Sequence, residues 1–216
     1  MNVREWNAFE KALAALLGEE NLKKIQQVIV GIAGAGGLGS NCAMNLVRSG
    51  FVKLVIADFD TIEYSNLNRQ FYSYHQVDQS KVEALKSNLL RINPNLQVEI
   101  WQQRVEADSV PKIFEKCHII VEAFDQAKYK KMLVEQYLDK GKFIVSASGI
   151  AGWGDADNIK THKVKENLYV VGDLVSEAGK GLPPCAPRVN IAAAKQANLV
   201  FQHVLANSLM SDVSDD

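Results

Sequence analysis

The segment Val28 to Phe71, VIVGIAGAGGLGSNCAMNLVRSGFVKLVIADFDTIEYSNLNRQF, restricts the fold of this chain more than any other. Val28 to Ala33 is an apolar, β-branched run of the kind that forms a strand buried on both faces. A glycine turn follows, Gly34-Ala35-Gly36-Gly37-Leu38-Gly39, and the pattern from about Ser40 to Arg48 predicts a helix. A second apolar run, Leu54 to Ala57, ends at Asp58, nineteen residues past Gly39. This strand–turn–helix–strand–acid order is that of a dinucleotide-binding half. Glycines let the backbone approach a phosphate, and the unpaired N–H groups of the helix N-terminus face the anion. Asp58, at the carboxyl end of its strand, can accept hydrogen bonds from ribose hydroxyls. Glycine also serves plain tight turns, so the chemistry has to be sought further along the chain.

Beyond Asp58 comes a polar loop, Asp60-Thr61-Ile62-Glu63-Tyr64-Ser65-Asn66-Leu67-Asn68-Arg69-Gln70, where an ordinary dehydrogenase would start its next helix. Ser80-Lys81-Val82-Glu83 fits a capping box and predicts a helix running to Asn93-Pro94. Gln97 to Trp101, Ile119 to Ala123 and Phe143 to Ala147 are strands; Ser109 to Lys116 and Ala127 to Lys140 are the helices between them. The alternation predicts an α/β, Rossmann-like, doubly wound sheet that is mainly parallel. Ile159 to Val164 and Leu168 to Val171 predict an antiparallel pair that extends it. Residues 176–187, SEAGKGLPPCAP, form a glycine- and proline-rich loop, and Val189 to Leu205 a long closing helix. Gly179-Lys180-Gly181 lacks the flanking glycine and hydroxyl of a P-loop. Residues 6–18 form an amphipathic helix expected to cover the sheet edge. The domain reading is a helical segment over 1–24, one domain over 25–207 and a frayed tail over 208–216.

Composition narrows the function classes. A net charge of −1 over 216 residues gives no basic footprint for nucleic acid. No apolar run is long enough to span a bilayer, and the N-terminus has acids flanking a short apolar stripe, unlike a signal peptide. Cys42, Cys117 and Cys185 stand far apart, which argues against disulfides and tetrahedral zinc and for a reducing cytoplasm. His75, His118, His162 and His203 lack metal-ligand spacing.

Open α/β sheets bind ligands at the carboxyl ends of their strands, and the charged residues predicted there are Asp58, Arg69, Lys81 and Asp125. Lys81 falls in a first helical turn, where the macrodipole disfavours a cation. It is either a solvated helix lysine or one that reaches a polyphosphate. Asp125 follows a buried apolar strand; it can hold Mg²⁺ beside phosphates, cap the helix at Ala127, or do both.

Taken together, the glycine turn Gly34 to Ser40, Asp58-Phe59-Asp60, Ser65 to Gln70, Lys81, Arg91-Ile92-Asn93-Pro94 and Asp125 resemble the ThiF/MoeB/HesA family, bacterial relatives of the ubiquitin-activating enzymes. The resemblance covers about residues 25–205. Glu122-Ala123-Phe124-Asp125, Ser146 to Gly149 and Ala186-Pro187-Arg188-Val189 look most like its short ThiF branch, which acts in thiamine thiazole synthesis. The resemblance implies an ATP-dependent adenylyltransferase that activates the C-terminal glycine of a ubiquitin-like sulfur carrier, ThiS-like, with release of pyrophosphate. It implies that Arg69 and Lys81 hold the phosphates, Asp58 the ribose and Asp125 Mg²⁺. Gly34, Gly36, Gly37, Gly39, Asp60, Ser65, Asn66, Asn68 and Gln70 would complete the nucleotide site. It further implies a homodimer, with Arg4 reaching the partner's ATP, and a carrier lying along residues 159–171 under the 176–187 loop. Many relatives carry Cys-x-x-Cys zinc pairs that this chain lacks, and some carry a cysteine where Cys185 stands. MoeB-like or TcdA-like activation of another carrier or of tRNA, an NAD-dependent oxidoreductase and a non-catalytic adaptor are the alternatives.

Overall fold

A computed structural model describes residues 5–179 and 181–209, with side chains to residue 206. Seven strands form one sheet: β1 (Ile29–Ala33), β2 (Lys53–Ala57), β3 (Gln97–Trp101), β4 (Ile119–Glu122), β5 (Phe143–Ala147), β6 (Lys160–Lys165) and β7 (Leu168–Gly172). Their spatial order is β3-β2-β1-β4-β5-β7-β6. Every pair is parallel except β6 on β7, which is antiparallel, so β7 enters the sheet beside β5 and leaves β6 at the edge. The doubly wound, mainly parallel sheet with an antiparallel extension is what the alternation predicts.

The helices are α1 (Ala8–Leu17), α2 (Glu19–Gln27), α3 (Gly37–Arg48), α4 (Lys81–Leu90), α5 (Val110–Phe114), α6 (Ala127–Tyr137) and α7 (Ala186–Leu209). On one face of the sheet Leu46, Val82, Leu85, Leu89 and Val200 close the core; on the other, Val110, Ile113, Phe114, Leu133 and Tyr137 do so. Burial of each large apolar side chain contributes about 1.5–3 kcal/mol. The central strands, covered on both faces, are apolar at nearly every position, which is why they are legible as continuous runs.

The helix expected over 6–18 is α1: Asn7 caps it through a capping box with Glu10, and it stops at Gly18, whose φ of +85° starts α2 in a new direction, a helix that the periodicity does not announce. Three expectations are corrected. Ser80 makes no capping bond, and its buried Oγ has no partner. The Lys81 N–H is satisfied instead by the Asp60 carbonyl at 3.0 Å, so loop backbone does the work assigned to the cap. The closing helix begins at Ala186 rather than Val189, because Pro187 is tolerated in a first helical turn. The helix opening the first unit likewise starts at Gly37, not Ser40. Residues 210–216, including most of the expected tail, lie outside the described residues, as does Arg4. Among the described residues no helix is long and apolar enough to cross a membrane.

Candidate active site

The order β2-β1-β4 puts the reversal of strand direction along the sequence between β1 and β4, and a crevice opens there at their carboxyl ends. The glycine turn lies on one side of it and the Phe124–Asp125 turn on the other. Gly34 joins them: with φ +101°, a Cβ on it would stand 2.8 Å from the Ala123 carbonyl oxygen. Gly39 has no room either, since a Cβ there would stand 1.8 Å from the Gly34 carbonyl oxygen. Gly37 opens α3 and packs against Val189. Gly36 differs. It is the N-cap of α3, and the nearest atom to a Cβ there is Gln70 Nε2 at 3.8 Å. No protein contact demands glycine at that point, so the space in front of the helix N-terminus is open to a ligand.

Asp58 ends β2 with both carboxylate oxygens facing this turn. Oδ2 accepts the Ala35 N–H at 2.7 Å and Oδ1 accepts the Asp60 N–H at 2.8 Å. Burial raises its pKa above the ordinary carboxylate value, and the two amides and the Lys81 ammonium pull it back. Tyr72 steadies the turn from outside by donating its hydroxyl to the Ala35 carbonyl at 2.7 Å.

Lys81 is neither a solvated helix lysine nor free. Its side chain is only 8% exposed, and Nζ donates to Asp60 Oδ2 at 2.7 Å. Asp60 is 45% exposed, so the pair opens outward to solvent on the acid's side. The adverse macrodipole at this first-turn cation is thus offset by a neighbouring carboxylate.

The polar loop after Asp60 is held mainly by its own side chains. Asn66 is buried and accepts the Glu63 N–H through Oδ1, and Ser65 Oγ donates to Glu63. Arg69 donates from one guanidinium nitrogen to the Ser65 carbonyl and to Asn68 Oδ1, at 3.0 and 2.8 Å. Burial lowers the Arg69 pKa, and its neighbour Cys185 acts the other way. Asn68 Nδ2 reaches across to the Pro184 carbonyl at 3.1 Å, tying this loop to the segment before α7. Gln70 is buried beside Gly36, and its Oε1 has no hydrogen-bond partner. Burying an unpaired amide oxygen costs about 1–3 kcal/mol; the amide's other atom, Nε2, is the one nearest the open space at Gly36.

Asp125 is exposed, and its side chain makes no hydrogen bond or ion pair among the described residues. It does not cap α6: Gln126 holds the N-cap position, and no side chain caps the helix. Of the two uses open to it, the capping one is absent, and a hard oxygen donor is left at the crevice. Beside it, Phe59 leaves its ring half exposed, and the Arg104 guanidinium stacks on that ring at 4.2 Å while donating to the Tyr129 hydroxyl at 3.0 Å. A Phe59–Arg104–Tyr129 wall therefore links the ends of β2 and β3 to α6. No sequence period announces it, because Phe59 and Arg104 come from the connections after β2 and β3 and Tyr129 from α6.

Two cavities lie off the glycine turn. One of about 430 Å³ opens on the far side of the Arg69 segment, lined by Asn68, Arg69, Gln70, Tyr72, Asn88 and Arg91 among others, and takes in none of the glycine turn, Asp58, Lys81 or Asp125. The other, about 720 Å³, is at the opposite ends of the strands around Lys24, Lys142 and His203.

The three cysteines separate cleanly. Cys42 and Cys117 are buried, and burial raises both thiols, Cys117 to about 12. Cys185 is partly exposed and donates only weakly, at 3.6 Å, to the Pro183 carbonyl. Iodoacetamide on the folded protein is expected to alkylate one thiol, Cys185, with the other two reacting only after denaturation; peptide mass mapping reads the positions.

The model of the ThiF family matches residues 9–204. The chain belongs to the ThiF family. Among relatives of this chain, ubiquitin-like modifier-activating enzyme 5 of Xenopus laevis is 44% identical over 86 residues, 40% of this chain and 22% of that protein. The tRNA threonylcarbamoyladenosine dehydratase of Bacillus subtilis is 29% identical over 154 residues, 68% of this chain and 61% of that one. A probable molybdopterin-synthase adenylyltransferase of Porphyra purpurea is 32% identical over 146 residues, 65% of this chain and 37% of that protein. The chain thus spans only part of the length of these relatives. Among solved structures, the E. coli dehydratase TcdA in complex with AMP superposes with a TM-score of 0.86 at 19% identity, over 97% of this chain and 100% of that one. The shared fold is what that likeness establishes.

Proposed function

We propose that this ThiF-family chain is an ATP-dependent adenylyltransferase that activates a carboxylate as its acyl-adenylate and releases pyrophosphate. The observation that carries the reading is the open space at Gly36 before the α3 N-terminus, with the Gln70 amide beside it, Asp58 bonded to the Ala35 N–H and the Arg69 stem next to Gly37. Relatives named as adenylyltransferases and as activating enzymes support it. A dehydrogenase leaves the self-braced loop from Glu63 to Gln70 and the uncommitted Asp125 without a purpose.

The attacking group needs no general base, because a chain-terminal carboxylate with a pKa of about 3.3–3.7 is already ionised at neutral pH. It attacks the α-phosphorus, the bond to the β-phosphate oxygen breaks, and pyrophosphate leaves. The obstacle is an anion approaching a polyanion, so alignment and charge neutralisation carry the catalysis. Asp58 accepts the ribose hydroxyls. Lys81, shared with Asp60, and Arg69, swung from its Ser65 and Asn68 partners, offset the phosphate charge. Asn66, Asn68 and Ser65 keep the loop under Arg69 in shape. Mg²⁺ suits Asp125, since that ion is commonly held by one or two carboxylates plus substrate phosphates, and it would supply further neutralisation.

The acceptor is where the relatives move the reading. They favour a MoeB-like carrier or a TcdA-like tRNA over the ThiS-like carrier, which none of them names. A tRNA acceptor would bind without the basic footprint that the composition lacks. ATP–pyrophosphate exchange, run in turn with a ThiS-type carrier, a molybdopterin-type carrier and threonylcarbamoylated tRNA, tests the activity and names the acceptor together. Absence of nucleotide binding by this chain would overturn the reading itself. Arg69→Ala is expected to lower exchange with the active acceptor by roughly 10²–10³-fold, the loss typical of one electrostatic stabiliser. An unchanged rate would remove Arg69 from the site.

A further inference from the structure

Glu122 is an acid at the end of β4 with no exposure at all, between Val121 and Ala123. A buried carboxylate is costly unless donors surround it, and here they do. Oε1 accepts the Phe124 N–H at 2.7 Å and Lys130 Nζ at 3.2 Å; Oε2 accepts Lys130 Nζ at 3.0 Å and the Ser146 hydroxyl at 2.5 Å. The donors come from three places: the turn leading to Asp125, α6 and β5. The Glu122 carbonyl accepts Gln196 Nε2 of α7 at 3.2 Å, which fixes the main chain from behind.

A buried ion pair is weak evidence for stability, because well-packed apolar residues often do as well or better. Geometry is the better account of this one. The Phe124 amide is the link between the strand end and Asp125, and the Asp125 side chain has no tether of its own. On the glycine-loop side the Ala123 N–H donates to the Ala33 carbonyl at 2.9 Å, and Gly34 lies so close that a Cβ would stand 2.8 Å from the Ala123 carbonyl oxygen, so the turn is held by the glycine loop as well as by Glu122.

We infer that Glu122 is a positioning residue: through the Phe124 amide it fixes the turn that holds the Asp125 carboxylate ready at the crevice for the divalent ion brought with the nucleotide. The inference rests on the proposed metal role of Asp125. Lys130 and Ser146 hold the Glu122 carboxylate oriented for that task.

The test is calorimetric titration of the whole chain with α,β-methylene-ATP, once in EDTA and once with Mg²⁺. Mg²⁺ should strengthen binding to the unmodified protein. Glu122→Gln should cut that enhancement by about 10-fold, the usual scale for losing a residue that orients a metal ligand, and leave the affinity in EDTA within about twofold. Asp125→Asn should abolish the enhancement. Full enhancement in Glu122→Gln beside a loss in Asp125→Asn overturns the positioning role and leaves the proposed function standing. Full enhancement in both variants overturns the metal role of Asp125 first and the inference with it. An equal loss of affinity with and without Mg²⁺ in Glu122→Gln also overturns it, since general damage to the crevice would then suffice. If Glu122→Gln does not fold, Ser146→Ala removes one donor only; it should lower the enhancement about threefold, and no change there overturns the inference.

Discussion

Gly39→Ala is expected to lower the melting temperature by about 6–12 °C, while Gly36→Ala, three residues earlier, leaves it within about 1 °C. The added methyl at position 39 would stand 1.8 Å from the Gly34 carbonyl oxygen, a backbone atom that cannot swing away. Overpacking of this kind costs about 1–3 kcal/mol or more. Gly36 has 3.8 Å of clearance, and its nearest neighbour is the end of a side chain. The same methyl there enters the space assigned to the nucleotide, so Gly36→Ala should weaken α,β-methylene-ATP binding by more than about 10-fold while thermal unfolding stays as in the unmodified protein. Scanning calorimetry and titration calorimetry on the two variants read both effects. Equal melting temperatures for the two would mean that the turn can relax around Gly39, and undiminished binding in Gly36→Ala would move the nucleotide elsewhere.

Lys81→Met is expected to lower ATP–pyrophosphate exchange by roughly 10²–10³-fold with little loss of stability. The two halves of that statement come from the two sides of one ion pair. The Lys81 stem lies buried in the first turn of α4, and methionine has the length to fill it. Its partner Asp60 is half exposed and can return to water, so no charge is left stranded in the core. What disappears is the buried Lys81 ammonium, close enough to Asp58 to act on it. Exchange measured with the acceptor, and unfolding followed by calorimetry, check both halves. A melting point several degrees lower would assign Lys81 to folding instead of phosphate binding.

The four strands β1, β2, β4 and β5 were legible because burial on both faces turns them into apolar runs that need no partner to be recognised. The glycine turn and Asp58 were legible because their offsets are local. The Ser80 box failed because its four residues match a local motif while the loop from β2, which supplies the bond, is twenty residues away. α2 was missed because Glu19–Gln27 is polar and buries only Leu22 and Ile25. The Phe59–Arg104–Tyr129 wall has no local signature of any kind.

The amino-acid order by itself determined the α/β alternation, the glycine turn, the acid at the end of β2, and the set of charged residues from which the site is drawn. These depend on near neighbours along the chain, where periodicity and spacing act directly. Tertiary structure alone decided that β7 lies between β5 and β6, that Lys81 is held by Asp60, that Glu122 is sealed among Phe124, Lys130 and Ser146, and that Gly36 opens onto space while Gly39 has none. Each of those outcomes is a contact between segments tens of residues apart, and its energy exists only once the sheet has brought them together.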